Sequence, residues 1–389
     1  MKLKKITAAL AVGVLPLFGA AAAAAPPRDG WGGIVRESVR IPMDGGWTAD
    51  GELSYPRGAK GRLPVVVLLH GSGKLDMDQT IGDAATFKAV AQSVNRGGVA
   101  VLRFHKRGVV GLGPVLSDDP ALLYPDKPYE QVVRDAAAAV RFAQASTRVD
   151  PARVFMLGHS EGTQVAGNLA AAPGAYGIRE PAGVVAMGVV GGAPRDLLYY
   201  QAVGRTLGQL HEEVDGDGDG RLTATEASNG LLGRPAEAAA QLRALLLDAD
   251  GVNDAADADR DGRLAIDAEL EPVVRAAIGF DNYPHLTGAP QGLADYLVDF
   301  ARFAPPATDL ARYDGPVLLL NGEADIQTTV RGAIVTDAAL AAAGHPDHRL
   351  ITYPGVSHLM NITTKYLPEP GNPEPAVLRD IVAWLAAHR

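Results

Sequence analysis

Apolar residues in this chain fall into short unbroken runs separated by segments of helical spacing. Pro64-Val65-Val66-Val67-Leu68-Leu69 has no 3.6-residue period, which suits a strand covered on both faces. Similar runs stand at residues 99–104, 153–157 and 184–191, from Val317 onward, and at residues 349–353. Helical patterns lie between them at residues 84–94, 129–146 and 163–172, and a last one at 374–388. In the second of these, Val132, Val133, Ala136, Val140 and Phe142 are the inward candidates. Residues 33–43 and 47–55 read as a hairpin turned at Gly45-Gly46. Strands alternating with helices predict an α/β fold, a mostly parallel sheet with helices on both faces.

The alternation stops between residues 196 and 313 and then resumes. This predicts an insertion that splits the core into residues 26–195 and 314–389. It follows the strand at 184–191, so it is expected at the carboxyl edge of the sheet, as a cap. Residues 1–25 read as a signal peptide: Lys2, Lys4 and Lys5, an apolar stretch from Ile6 to Phe18, then small residues. Export to a periplasmic or extracellular compartment is the expectation, with no stable membrane anchor.

Several strands end in residues that can do chemistry. The run at 153–157 leads into Gly158-His159-Ser160-Glu161-Gly162, a G-x-S-x-G between a strand and a helix. Glycines on either side permit the sharp turn that exposes a serine hydroxyl as a nucleophile. The run ending at Leu69 leads into His70-Gly71-Ser72-Gly73, whose backbone N–H groups could approach a developing oxyanion. The strand from Val317 ends in a turn carrying Asp325, and the strand at 349–353 ends in a loop carrying His358. A serine needs a base to take its proton, and the base needs a carboxylate to orient it. Ser160, His358 and Asp325 are the candidates, with Glu323 and Asp196 as other possible acids.

The insertion carries a second chemistry. Residues 215–226 fit the twelve-residue EF-hand loop. Asp215, Asp217 and Asp219 stand at positions 1, 3 and 5, and Gly220 at the turn. Arg221 offers its carbonyl at position 7, Thr223 stands at position 9, and Glu226 is the bidentate ligand at position 12. A second copy starts with Asp257, Asp259, Asp261, Gly262 and Arg263. Its position 12 is Ala268, flanked by Asp267 and Glu269, either of which could reach an ion after a local shift. Hard oxygen donors in this number suit Ca²⁺. One strong and one weaker structural calcium site are expected, with Leu222 and Leu264 pairing the loops.

Composition narrows the partners. A net charge of −9 supplies no basic footprint for nucleic acid. The chain has no cysteine, so an exported form must be held by packing and metal rather than disulfides.

The chain resembles the α/β-hydrolase superfamily, in particular the bacterial esterase branch related to serine aminopeptidases and dienelactone hydrolases. Leu69 to Gly73, Lys106-Arg107-Gly108, Gly158 to Gly162, Gly322 to Gln327 and Gly355 to His358 carry the resemblance. It implies the α/β-hydrolase fold and hydrolysis of an ester; a carboxylesterase acting on small-molecule esters of short or medium acyl chains is the leading expectation. It also implies Ser160, Asp325 and His358 as triad, with the N–H groups of Ser72 and Glu161 as oxyanion donors. The chain departs from these relatives at His105, where they carry an aspartate, and in its EF-hand insertion. A peptidase or thioesterase of the same fold is the alternative, with Glu161 as a candidate to hold a substrate amine. A non-catalytic calcium-binding protein on the same fold is a further one.

Overall fold

A computed structural model describes residues 30–389; the expected signal peptide lies outside the described residues. Eight strands build the main sheet: β1 (Ile34–Pro42), β2 (Thr48–Pro56), β3 (Leu63–Leu69), β4 (Ala100–Phe104), β5 (Val149–His159), β6 (Gly183–Met187), β7 (Val317–Gly322) and β8 (His348–Tyr353). Their order across the sheet is β1-β2-β4-β3-β5-β6-β7-β8. The hairpin β1–β2 and the β2–β4 pair are antiparallel, and every other pairing is parallel. The turn between β1 and β2 falls at Asp44–Gly46, with positive φ at both glycines.

The unbroken apolar runs are strands because both their faces are covered: all of β3, β4, β6 and β7 are buried. Val66, Leu68, Phe155, Leu157, Val185 and Leu318 face a core shared with α1 (Thr86–Arg96) and α5 (Pro375–His388). Helices α2 (Pro128–Ala145) and α3 (Glu161–Ala171) pack on β5, and α4 (Val330–Ala342) packs on β7 and β8. The buried side of α2 is Val133, Ala136, Ala137, Val140 and Ala143; Val132 and Phe142 are only half-buried. Helix α1 begins two residues later than its apolar pattern, because Ala84–Ala85 pair instead with Thr80–Ile81.

The described chain divides into two compact units, one spanning Pro194–Val298 and the other holding the sheet together with Asp299–Arg389. Residues 299–313, read from the pattern as insertion, belong with the sheet. Asn168 of α3 donates to Ala304 O at 3.1 Å and to Asp309 Oδ2 at 2.5 Å, and the Tyr129 ring meets Phe300 at a tilt and Phe303 edge-on. The inserted unit has its own core of Leu207, Leu210, Leu222, Leu246, Leu264, Ile266, Leu270 and Phe280. Among the described residues no helix is long and apolar enough to cross a membrane.

Candidate active site

Strand order turns at β3, with β4 on one side and β5 on the other. The crevice beyond the carboxyl ends of such strands is where open parallel sheets bind ligands. Three strand ends meet there. β3 runs into His70-Gly71-Ser72, β4 into His105-Lys106, and β5 ends at His159 with Ser160 next.

Ser160 takes φ 55° and ψ −122°, a conformation that costs a non-glycine residue about 1–3 kcal/mol. The turn is clamped on both sides. Ser160 N–H donates to Met187 O at 2.9 Å, and Ser160 O accepts from Thr163 N at 2.8 Å and Thr163 Oγ1 at 2.7 Å. Gly158 and Gly162 are needed for close approach: a Cβ on Gly158 would overlap Gly162 O, and one on Gly162 would overlap Leu69 O.

Asp325 follows β7 and His358 follows β8, and the two meet: His358 Nδ1 lies 2.8 Å from Asp325 Oδ2. Asp325 Oδ1 accepts from Gln327 N at 2.8 Å and Thr328 N at 2.9 Å. Burial alone would raise the Asp325 carboxyl, but His358 and those two N–H groups outweigh it and hold it below the usual carboxylate range. An ionised carboxylate only accepts, so the His358 proton sits on Nδ1 and the Nε2 lone pair is left as the base. The ring lies against β6: a Cβ on Gly188 would sit 3.4 Å from it, one residue beyond the carbonyl that holds Ser160. Glu323 is exposed and accepts from Thr352 Oγ1 at 2.8 Å, and Asp196 belongs to the inserted unit. Asp325 is therefore the acid that meets the histidine.

Sequence reasoning missed Thr328. Its Oγ1 donates to Asp325 Oδ2 at 2.9 Å and lies 3.1 Å from His358 Nδ1, so it braces the pair. The only signal for it was a hydroxyl three residues after the acid, a common turn pattern.

Ser72 sits in the exposed loop after β3, and Glu161 opens α3. Lys106 ties these segments together: Nζ donates to Gly71 O at 2.8 Å and pairs with Glu161 Oε1 at 2.8 Å. Gly71 O and Ser72 N–H belong to one planar trans peptide and point opposite ways. Holding the carbonyl therefore fixes the direction of the Ser72 N–H. His105 is buried and accepts from Met77 N at 3.0 Å. Burial lowers its pKa, so it stands as a neutral acceptor.

In the inserted unit, two acidic loops lie side by side. Arg221–Leu222 pair antiparallel with Leu264–Ala265, and Leu222 stands opposite Leu264. The carboxylates of Asp215, Asp217 and Asp219 can bring one oxygen each within 4.8 Å of one another, and so can those of Asp257, Asp259 and Asp261. Each loop wraps its first aspartate alike: Asp215 Oδ2 accepts from Gly220 N at 2.9 Å, and Asp257 Oδ2 from Gly262 N at 3.0 Å. Glu226 turns back onto its loop, accepting from Gly216 N at 3.0 Å and Thr223 N at 2.9 Å. In the second loop Glu269 does the same to the matching positions, Ala258 N and Ala265 N, both at 2.7 Å. Asp267 is exposed and lies 3.1 Å from His211 Nε2 instead. Residues Ile266–Leu270 form a π-helical turn, which takes one residue more than an α turn. That extra residue lets position 13 stand where position 12 stands in the first loop. The arginines cross over: Arg221 reaches Asp261 Oδ2 at 2.5 Å, and Arg263 reaches Asp219 Oδ2 at 3.1 Å. The donor set of each loop is oxygen only, which fits a hard divalent cation.

Residues 66–365, more than half of the chain, match the Alpha/beta hydrolase family. The chain belongs to the alpha/beta hydrolase family. Over 128 residues it is 39% identical to Esterase EstD of Thermotoga maritima, a match covering 33% of this chain and 28% of that protein. The chain thus spans under a third of that relative's length. Among solved structures it resembles brefeldin A esterase, a bacterial homologue of human hormone sensitive lipase, at TM-score 0.52 and 17% identity, over 99% of this chain and 86% of the other. Carboxyl esterase 2 of the fungus Tuber melanosporum gives TM-score 0.51 at 14% identity, over 99% and 96%. At these identities the two structures speak to fold.

Proposed function

We propose that this alpha/beta hydrolase is a carboxylesterase working through an acyl-enzyme on Ser160. The observation that carries the reading is the buried Asp325–His358 pair at 2.8 Å, abutting the same strand end as the strained turn of Ser160. His358 Nε2 takes the Ser160 proton as the hydroxyl attacks the ester carbonyl, then gives it to the leaving alcohol. Water, deprotonated by the same nitrogen, releases the acid. Gly71 N–H is already spent on Gln79 Oε1 at 3.0 Å, which leaves the N–H groups of Ser72 and Glu161 for the oxyanion. Glu161, the group a peptidase would use for a substrate amine, has its carboxylate on Lys106; this favours esters over peptides. A p-nitrophenyl ester series from acetate to palmitate tests the reading, set against aminoacyl and dipeptidyl anilides. Turnover of the esters and not the anilides is expected; the reverse would overturn it.

The two acidic loops are proposed to hold Ca²⁺. Asp215, Asp217, Asp219, the Arg221 carbonyl, Thr223 and Glu226 would serve one ion. Asp257, Asp259, Asp261, the Arg263 carbonyl and Glu269 would serve the other, with Glu269 taking the role that the loop numbering assigns to Ala268. The ion would relieve repulsion among three clustered carboxylates and so stabilise the unit Pro194–Val298. Glu226→Gln is expected to weaken calcium binding by at least about tenfold and to lower the melting temperature in calcium. Calorimetric titration and melting with and without EGTA check this; identical melting in both would contradict it. With residues 1–25 as a signal peptide, the protein is proposed to act outside the cytoplasm, where calcium is plentiful.

A further inference from the structure

Behind the nucleophile turn, buried polar groups form a one-way chain of hydrogen bonds. Gly71 N–H donates to Gln79 Oε1 at 3.0 Å. A backbone N–H can only donate, so the Gln79 atom facing it is the oxygen. The other end of that amide, Nε2, lies 2.9 Å from His159 Nδ1. An amide nitrogen also only donates, so His159 Nδ1 carries a lone pair. The ring proton then sits on Nε2, 2.9 Å from the backbone oxygen of His358. That carbonyl can only accept, so both ends of the chain demand the same tautomer.

The chain joins three segments distant in sequence. Gly71 lies in the loop after β3, His159 is the last residue of β5, and His358 lies in the loop after β8. Gln79 and His159 are both buried. Gln79 has φ 50°, a left-handed conformation that residues other than glycine rarely take, held by its N–H on Asp76 O at 3.0 Å. Burial, with the His358 ring adding to it, lowers the His159 pKa to about 3. The ring stays neutral at working pH, and both its nitrogens are engaged within the protein. It has no lone pair to offer a substrate.

Resting on the reading of Ser160 and His358 as nucleophile and base, we propose that Gln79 and His159 are positioning residues. They lock the oxyanion loop, the nucleophile turn and the loop of the base into one frame, with His159 as a permanent Nε2–H donor. Gln79 stands outside the oxyanion motif, six residues past Gly73, and His159 is the unspecified position of G-x-S-x-G, so neither announces the role in sequence.

Two measurements on the intact protein test this. Nitrogen NMR of the His159 ring is expected to show Nδ1 bare and Nε2 protonated, unchanged from about pH 5 to pH 9. The opposite tautomer, or titration in that range, overturns the relay. The second compares Gln79→Leu, which removes both links, with Gln79→Glu. The glutamate still accepts from Gly71 N–H and shares a proton with His159 Nδ1, leaving the donation to His358 O intact. The leucine variant is expected to lose about 10- to 100-fold in kcat on p-nitrophenyl acetate with KM changed less than about twofold. The glutamate variant should stay within about fivefold of native, with Nε2 of the ring still protonated. Native kcat in a folded Gln79→Leu overturns the positioning role. Should that variant not fold, an active Gln79→Glu whose His159 carries no proton on Nε2 contradicts the relay. The ring measurement does not depend on ester turnover. An enzyme inert on every ester but with the expected tautomer would refute the esterase reading and leave the relay standing.

Discussion

Replacing His358 with alanine is expected to lower ester turnover by about 10³-fold or more while leaving the melting temperature within a few degrees. Gln327 N, Thr328 N and Thr328 Oγ1 still donate to the Asp325 carboxylate when the ring is removed, whereas the proposed base that meets Asp325 at 2.8 Å is lost. Ser160→Ala should cost about as much, and the double variant little more, because nucleophile and base act as one unit. Asp325→Asn should fall on the same scale for a different reason. An asparagine amide presents a donor to Nδ1, which moves the ring proton to Nε2 and removes the lone pair that Ser160 needs. Steady-state kinetics on a p-nitrophenyl ester, with circular dichroism melts of each variant, measures all of this. Retention of more than about a tenth of native kcat in any of the three would break the triad assignment.

Lys106→Met carries the second large effect, and it falls on stability. Lys106 and Glu161 are 9% and 3% exposed, so their charges balance each other in a place that water does not reach. Removing the cation takes from a buried carboxylate the ammonium that it contacts, a loss of about 3–5 kcal/mol in comparable pairs. Gly71 O loses its donor in the same substitution. Lys106→Met with Glu161→Gln is expected to recover a substantial part of the loss, since neither member of the pair is then charged. Urea unfolding of the two single variants and the double gives the coupling directly. A Lys106→Met protein as stable as native would mean that the pair is not shielded from water. The folded fraction of Lys106→Met should also turn over more slowly, because the Ser72 N–H is no longer aimed through its peptide.

Most of the sheet could be read from the chain, for a physical reason. Strands β3, β4, β6 and β7 are covered on both faces, so their sequences are unbroken apolar runs that no surface helix would carry. Ser160, Asp325 and His358 could be read because each sits just past such a run, where parallel sheets concentrate their chemistry. What could not be read depends on partners distant in sequence. Residues 299–313 look like more of the insertion until Asn168 and Tyr129 are seen to bind them to the sheet unit. Glu269 stands one residue past the expected ligand position, and only the π turn at Ile266–Leu270 brings it into line with Glu226. Thr328 and Gln79 bond the acid and the loop after β3 within their own segments, but sequence does not show what each meets beyond them. Those further partners are His358 for Thr328 and His159 for Gln79.

The central claim is that one serine carries the reaction. The most direct test is titration of the intact protein with a fluorophosphonate, following ester hydrolysis and mapping the adduct by peptide mass spectrometry. The account requires one adduct per chain on Ser160, with activity lost in proportion to labelling and no labelling in Ser160→Ala. Full labelling of Ser160 with hydrolysis undiminished, or an adduct on another residue that tracks the loss of activity, would contradict it.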